Sequence, residues 1–320
     1  MNRTENRFPV VIAHRGACGY LPEHTLEAKA LAFGMGADYL EQDVVASRDD
    51  QLIVLHDIHL DTVTDVATRF PDRGRDDGRF YVRDFDLAEL KSLNVHERRS
   101  EDGISPVFPG RFPTTEGRFS VATLAEEITM IQGLNKSTGR NVGIYPEIKS
   151  PAFHADEGID LSQSLLAMLR DFGYASKESP VYVQCFDARE VTRLRKELGC
   201  ELKLVQLIGE NDWDESDTDY DVLKTSAGLI DIAGVADAVG PWAAQLYTTA
   251  DIDGHPVSTG FVSNAHAAGL SVHPYTFRAD AVLPGFDSFA DMVEWFVGTL
   301  SIDGLFTDFP DQAVKALASM

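Results

Sequence analysis

Histidine, arginine and carboxylate side chains lie in or directly after three short apolar runs near the amino terminus. His14 and Arg15 come at the end of the first run, and His56 comes at the end of the third. Glu41 and Asp43 lie two residues apart in the second run, so both side chains point the same way if that run is a strand. Histidine titrates near neutral pH, and carboxylates bind hard cations. The pattern therefore predicts a site for acid/base catalysis and metal binding.

The segments that carry these residues alternate between strand and helix patterns. Eight strands are predicted: the run from Val10, the run with Glu41 and Asp43, and six more at Val142–Lys149, Val181–Phe186, Leu202–Ile208, Ala238–Trp242, Ser271–Phe277 and Gly304–Phe309. Helical periodicity is found at Thr25–Phe33, Leu124–Leu134, Leu161–Phe172, Ala188–Leu198 and Gly260–His266. This order predicts an α/β fold of the (β/α)8 TIM-barrel type. An open doubly wound sheet is the alternative, but it would require a glycine-rich phosphate loop that the sequence lacks.

One stretch interrupts the alternation. From Ile58 to Gly117 the chain is rich in Asp, Arg and Gly and has little periodicity. A structureless loop of this length is uncommon in a compact domain. We therefore predict a single barrel domain over residues 1–320, with an inserted subdomain at about residues 58–117, after the second strand region.

In a TIM barrel the active site lies at the carboxyl ends of the strands. Glu147, Lys149 and Gln184 fall at such ends. Glu147 would join Glu41 and Asp43 as a third carboxylate ligand. Oxygen ligands favour Ca²⁺ or Mg²⁺ over zinc, which prefers His and Cys.

Charge and hydropathy limit the partners. The chain has 28 Lys and Arg against 51 Asp and Glu, a net charge of −23, which argues against nucleic acid as a partner. No apolar run approaches the ~18–20 residues of a membrane span, so no stable membrane insertion is expected. The chain as written has no signal peptide, which predicts a cytoplasmic location, or a periplasmic one if a signal has been removed. The sequence does not define the oligomeric state, and a homodimer is one assembly that it allows.

Four motifs together resemble a known family. They are HRG at 14–16, PEHT at 22–25, GADYLEQDV at 36–44 and VLHD at 54–57. They resemble the signature of glycerophosphodiester phosphodiesterases, most closely the bacterial periplasmic branch, and the similarity covers nearly the whole chain. The resemblance implies metal-dependent hydrolysis of small glycerophosphodiesters, such as glycerophosphocholine, to sn-glycerol 3-phosphate and an alcohol. It favours Ca²⁺ as the cofactor, with Mg²⁺ in other members.

The resemblance also implies roles for individual residues. His14 and His56 match the catalytic histidines, with the acid and the base left open. Arg15 and Lys149 are expected to hold the phosphate, one as a planar fork and one as a point charge. The QCFD and HPYT segments imply that Gln184, Tyr275 and Phe277 bind substrate.

Other residues are less defined by the sequence. His24 in PEHT has a structural role at a helix start or a functional role, and these alternatives stay open. The remaining histidines with no such context are predicted at the surface, and they are His59, His96, His154, His255 and His266. No cluster for the alcohol part of the substrate is evident, so low headgroup selectivity is expected.

Two other functions share parts of this pattern. A lyase of the sphingomyelinase D type also places two histidines beside acidic metal ligands, but it acts on lipid and should have an exposed apolar loop, which we do not identify. A binding protein that captures phosphate esters without turnover is disfavoured, because both histidines and all the carboxylates are present.

Overall fold

The computed structural model describes residues 9–100, 103–249 and 255–320. Its strands are β1 (Val10–Ala13), β2 (Tyr39–Ala46), β3 (Leu52–Val54), β4 (Ala122–Thr123), β5 (Gly143–Ile148), β6 (Tyr182–Cys185), β7 (Lys203–Ile208), β8 (Ala238–Pro241), β9 (Tyr247–Thr248), β10 (Val257–Ser258), β11 (Ser271–Val272) and β12 (Gly304–Thr307). Its α-helices are α1 (Leu26–Met35), α2 (Val66–Arg69), α3 (Leu87–Leu90), α4 (Leu124–Thr138), α5 (Pro151–Asp156), α6 (Leu161–Asp171), α7 (Ala188–Lys196), α8 (Tyr220–Leu223), α9 (Ser226–Ala233), α10 (Phe261–Ala267), α11 (Phe289–Gly298) and α12 (Pro310–Ser319).

Eight of these strands form a parallel barrel. They are hydrogen-bonded in the order β11-β8-β7-β6-β5-β2-β1-β12. The ring closes between its ends, where the Asp303 amide donates to the Val272 carbonyl at 3.0 Å and Phe277 forms a parallel bridge with Thr307. The (β/α)8 barrel predicted from the sequence is confirmed, and each predicted strand contains one of the eight.

The barrel follows from the apolar character of its strands. Alternate residues face the surrounding helices, where Val11 and Ala13 join the large outer core. The opposite face fills the barrel interior with Ile12, Tyr145 and Phe306, all nearly inaccessible to solvent. Strands buried on both faces are typical of parallel sheets.

Helix α1 begins as the sequence predicts. Thr25 caps it, because its Oγ1 accepts a hydrogen bond from the Ala28 amide at 3.2 Å. Outside the 58–117 segment, helices α5, α8, α9 and α11 were not predicted, whereas α12 is the closing helix expected after the last strand. The surface positions predicted for His96 and His154 are wrong, because both rings are buried, and His154 Nε2 accepts the Ala46 amide at 3.1 Å.

The 58–117 segment lies between β3 and β4, and β3 pairs antiparallel with both β2 and β4. The segment contains α2, α3 and a hydrophobic cluster of its own. That cluster includes Leu60, Phe85 and Leu90, and it packs on Val45 and Ile53 of the two strands. Within the described ranges, none of the helices is long and apolar enough to cross a membrane.

His273 gives a pH-dependence prediction. It is fully buried beside Tyr145, whose Oη lies 2.8 Å from Nδ1, and burial lowers its pKa from 6.5 to about 4. Between these values the unfolded chain binds a proton that the native protein does not, so His273 destabilises the fold as pH falls from 6.5 to 4, by about 3 kcal/mol. His273→Gln should therefore flatten the decline in the free energy of unfolding over this range, measured by urea titration at stepped pH. An unchanged slope would contradict the assignment.

Candidate active site

A cavity of about 240 Å³ opens at the carboxyl ends of the barrel strands. Most of the predicted site residues line it together, namely His14, Arg15, Glu41, Asp43, His56, Glu147, Gln184 and Tyr275. Lys149 and Phe277 do not line it.

A tight turn after β1 places His14 and Arg15 in the cavity. The His14 amide donates to the Thr307 carbonyl at 3.0 Å, and the chain then reverses through Arg15 and Gly16, both with positive φ (55° and 89°). A Cβ on Gly16 would lie 2.9 Å from the Ala28 carbonyl carbon, so glycine is required here. The HRG motif therefore supplies two functional side chains, and its glycine is required for the turn.

His14 is held by Asp308, which follows β12. Its Nδ1 lies 2.7 Å from Asp308 Oδ1. Burial acts to raise the pKa of Asp308, but Arg278, His14 and Arg111 hold it well below its usual range, so the carboxylate is ionised and accepts the Nδ1 proton. Burial, and then the charge of Arg15, lower the pKa of His14 to about 4. The neutral ring thus leaves Nε2 as a proton acceptor.

His56 is held in the same way by the next residue. Its Nδ1 lies 2.6 Å from Asp57 Oδ1. Burial acts to raise the pKa of Asp57, but His56 and Arg98 hold it well below its usual range. Burial, and then Arg15, lower the pKa of His56. The site therefore has two histidine–aspartate pairs, each with Nε2 left to exchange a proton.

The three predicted carboxylates come from adjacent strands. Glu41 and Asp43 share one face of β2, and Asp43 is in register with Glu147 of β5. All three are buried, and the Arg15 amide donates to Glu41 Oε2 at 2.5 Å. Burial, and then Asp43, raise the pKa of Glu41 well above its usual range, while burial raises that of Glu147 to about 8.

His24 orients one of these carboxylates. Its Nε2 lies 2.7 Å from Asp43 Oδ2, and Lys29 Nζ lies 3.3 Å from its Nδ1. Lysine has only protons to donate, so Nδ1 accepts and Nε2–H donates to Asp43. Ligand atoms of His24, Glu41 and Asp43 lie within 4.8 Å of one another, but this tautomer makes His24 a support for Asp43.

Lys29 itself is fully buried beneath the site. It donates to the Glu41 carbonyl and lies 3.1 Å from Glu127 Oε2 of α4. Lys29→Met leaves the Glu127 carboxylate buried without its partner, so we expect the free energy of unfolding to fall by about 3–5 kcal/mol in a urea titration. The control Lys29→Met/Glu127→Leu removes both charges and should recover most of the loss. A loss below about 1 kcal/mol, as for an exposed ion pair, would contradict this role.

A second group of candidate metal ligands, His14, Cys18 and Asp308, also has its ligand atoms within 4.8 Å. Arg111 and Arg278 both donate to Asp308 Oδ2, at 2.6 and 2.8 Å. The carboxylate is already neutralised, so this group is unsuited to a cation.

Two predicted substrate residues lie outside the lining. Lys149 is buried directly behind it, with Nζ 2.9 Å from Glu147 Oε1 and 3.7 Å from Glu215 Oε2. Phe277 is fully buried and packs edge-on against Phe296, at 4.9 Å between ring centroids. Regular pairing of β11 ends at Val272. Beyond that residue the strand alternation is not maintained, so Tyr275 lines the cavity and Phe277 does not.

Part of the cavity lining is aromatic. Trp242, which follows β8, contacts Trp213 at 5.3 Å between ring centroids, and Phe186 contacts Tyr275 at 5.9 Å. Trp213 ends a short 3-10 helix, Asn211–Trp213, in an Asp-rich stretch, and the sequence did not single it out. Gln184 Oε1 is buried here and has no hydrogen-bond partner among the described residues, so it is available to a substrate donor.

A closed parallel barrel that brings two histidine–aspartate pairs, three buried carboxylates and Arg15 together at one cavity is typical of a barrel enzyme that uses acid/base chemistry on an anionic substrate. Residues 14–312 match the Glycerophosphoryl diester phosphodiesterase family. The chain belongs to this family.

Individual relatives agree with the family. A glycerophosphodiester phosphodiesterase of Haemophilus influenzae is 43% identical over 96% of this chain and 89% of its own length. One of Treponema pallidum is 38% identical over 96% of this chain and 91% of its own. The fold is similar to that of an Oleispira antarctica phosphodiesterase solved with its product sn-glycerol-3-phosphate, with a TM-score of 0.63 and 19% identity over 97% of each chain.

Proposed function

We propose that the enzyme hydrolyses glycerophosphodiesters, including glycerophosphocholine, to sn-glycerol 3-phosphate and an alcohol. The observation that carries this is the presence of both histidine–aspartate pairs and three buried carboxylates in one cavity. Cleavage of a phosphodiester needs a base for the attacking oxygen and an acid for the leaving alkoxide, and two histidines meet both needs. The names of the close relatives and the product bound by the Oleispira antarctica protein support the choice of substrate.

The cavity residues suit a hard divalent cation. Glu41, Asp43 and Glu147 offer oxygen ligands only, are buried, and come from neighbouring positions on β2 and β5. Removing like charges from water is costly unless a cation accompanies them. We infer that they hold Ca²⁺, with Mg²⁺ as the alternative. Held by these residues, a divalent ion would supply Lewis-acid polarisation of the phosphoryl group and would offset charge in the transition state.

The other residues bind and move protons. Arg15 is anchored by Glu23, with Nη1 3.1 Å from both carboxylate oxygens, and presents its charge to the phosphate. Lys149 adds positive charge behind the Glu147 carboxylate. His14 and His56 each keep a proton on Nδ1. The neutral ring takes a proton from the attacking oxygen at Nε2 and acts as the base, while the ring that has first taken a second proton from solvent at Nε2 gives it to the leaving alkoxide and acts as the acid.

The products test this proposal. With Ca²⁺ and glycerophosphocholine, ³¹P NMR should show sn-glycerol 3-phosphate, with one choline released per phosphate. Sphingomyelin vesicles should not be cleaved. A cyclic phosphate as the end product would point to the lyase. Phosphocholine plus glycerol would mean that the bond between phosphorus and the glycerol oxygen is cleaved, which would contradict the proposal. Binding of glycerophosphocholine without formation of any product would indicate a binding protein and would contradict the proposed activity.

A further inference from the structure

An arginine of the 58–117 segment reaches the carboxylate behind His56. Arg98 is largely buried, and its Nη1 donates to Asp57 Oδ2 at 2.7 Å. The same guanidinium donates to both oxygens of Glu23, at 2.6 and 2.9 Å. Glu23 anchors Arg15. Arg98 therefore contacts both the carboxylate that holds His56 and the carboxylate that holds the phosphate-binding Arg15.

A second arginine of the segment reaches the carboxylate behind His14. The Arg111 side chain is 4% exposed, and its Nη2 donates to Asp308 Oδ2 at 2.6 Å. It is held in place by Asp280, at 2.8 Å from Nε, and by the Phe108 ring, whose centroid lies 3.6 Å from the guanidinium carbon. In each histidine–aspartate pair, one carboxylate oxygen therefore meets the imidazole and the other meets an arginine of the segment.

We propose that Arg98 and Arg111 are positioning residues for the histidines, so that the docked 58–117 segment completes the catalytic site. This inference rests on the proposed function. A carboxylate bound on one oxygen only can rotate about its side-chain torsions, and the imidazole it holds turns with it. A guanidinium on the second oxygen fixes that rotation through a charge-assisted bond.

The two pairs depend on the segment to different extents. Asp308 also accepts from Arg278, at 2.8 Å, which follows β11 in the barrel. In the described part of the chain, Asp57 accepts side-chain hydrogen bonds, besides that of His56, from Arg98 and Thr62, and both belong to the segment. Loss of Arg98 should therefore affect turnover more than loss of Arg111.

Double-mutant cycles on the intact enzyme test the proposal. Groups that orient metal-ligating residues typically contribute 10–100-fold, and by analogy Arg98→Ala should lower kcat for glycerophosphocholine by at least ~10-fold, and Arg111→Ala by less. Because Arg98 acts on His56 through Asp57, its kcat effect should be clearly smaller in an Asp57→Asn background, where only its contact with Glu23 remains, and should persist in full in Asp308→Asn. Arg111→Ala should show the reverse dependence.

Controls separate positioning from folding. Arg99→Ala removes a neighbouring arginine that donates to carbonyls of Gly103 and Thr114, within the segment, and should keep kcat within ~2-fold. Arg98→Lys retains the positive charge and should recover part of the kcat lost in Arg98→Ala. This recovery of kcat should not follow the changes in Tm or in KM. Fully additive effects in both backgrounds, or loss of kcat that tracks Tm across all variants, would overturn the inference. An inactive wild type would instead overturn the proposed function.

Discussion

His14→Ala and His56→Ala should each lower kcat for glycerophosphocholine by at least ~10²-fold, the usual contribution of a general acid or base. Each ring has its Nδ1 proton committed to an ionised aspartate, which leaves one nitrogen for proton transfer. Neither loss can be replaced by the other histidine, because the base and the leaving-group acid are needed in the same reaction. Steady-state kinetics at saturating substrate and cation would measure both effects.

The protein contains a matched control for these variants. His266 also pairs with an aspartate, with Nε2 2.8 Å from Asp303 Oδ2, but the pair is partly exposed and lies apart from the cavity lining. His266→Ala should leave kcat within ~2-fold of the wild type. If His14→Ala or His56→Ala behaved like this control, that residue would be structural.

Glu41→Gln should give the second large effect, with a loss of at least ~10²-fold in kcat and a 10–100-fold weaker affinity for Ca²⁺. The substitution keeps the shape of the side chain but removes a charge from the buried carboxylate set. Isothermal titration with Ca²⁺ would measure affinity independently of turnover.

Glu215→Gln is the control for that experiment, because it removes one charge from the lining of the same cavity. Glu215 is 29% exposed and lies near Lys149, so its loss should not weaken Ca²⁺ affinity by more than ~3-fold. Equal losses of affinity in both variants would mean that the cation responds to overall negative charge and that Glu41 is not a ligand.

The barrel was predictable because its signal is local. Each strand is a short apolar run buried on both faces, and the polar residues that end it, such as His14 and Glu147, stand out against that run. Period-two alternation also placed Glu41 and Asp43 on one face correctly. The substrate-binding role that the family resemblance implied for Phe277 had no such local signal, and the ring lies in the outer core, away from the cavity.

The supports of the site were not predictable in this way. Arg98 and Arg111 lie in a stretch with no periodicity, and their partners are 41 and 197 residues away in the chain. Lys29 reads as an ordinary charge on an amphipathic helix, although it is buried against Glu127, 98 residues further on. Such pairings depend on the closed barrel and the docked 58–117 segment, so one sequence carries no local trace of them.

The most direct test of the account is release of sn-glycerol 3-phosphate from glycerophosphocholine by one enzyme sample, followed through cation removal and return. We predict turnover with Ca²⁺, loss of at least ~10²-fold after EDTA treatment and removal of the chelate, and recovery on adding Ca²⁺ back. Undiminished release of sn-glycerol 3-phosphate by a preparation verified as metal-free would contradict the assignment of Glu41, Asp43 and Glu147 as the ligands of a catalytic cation.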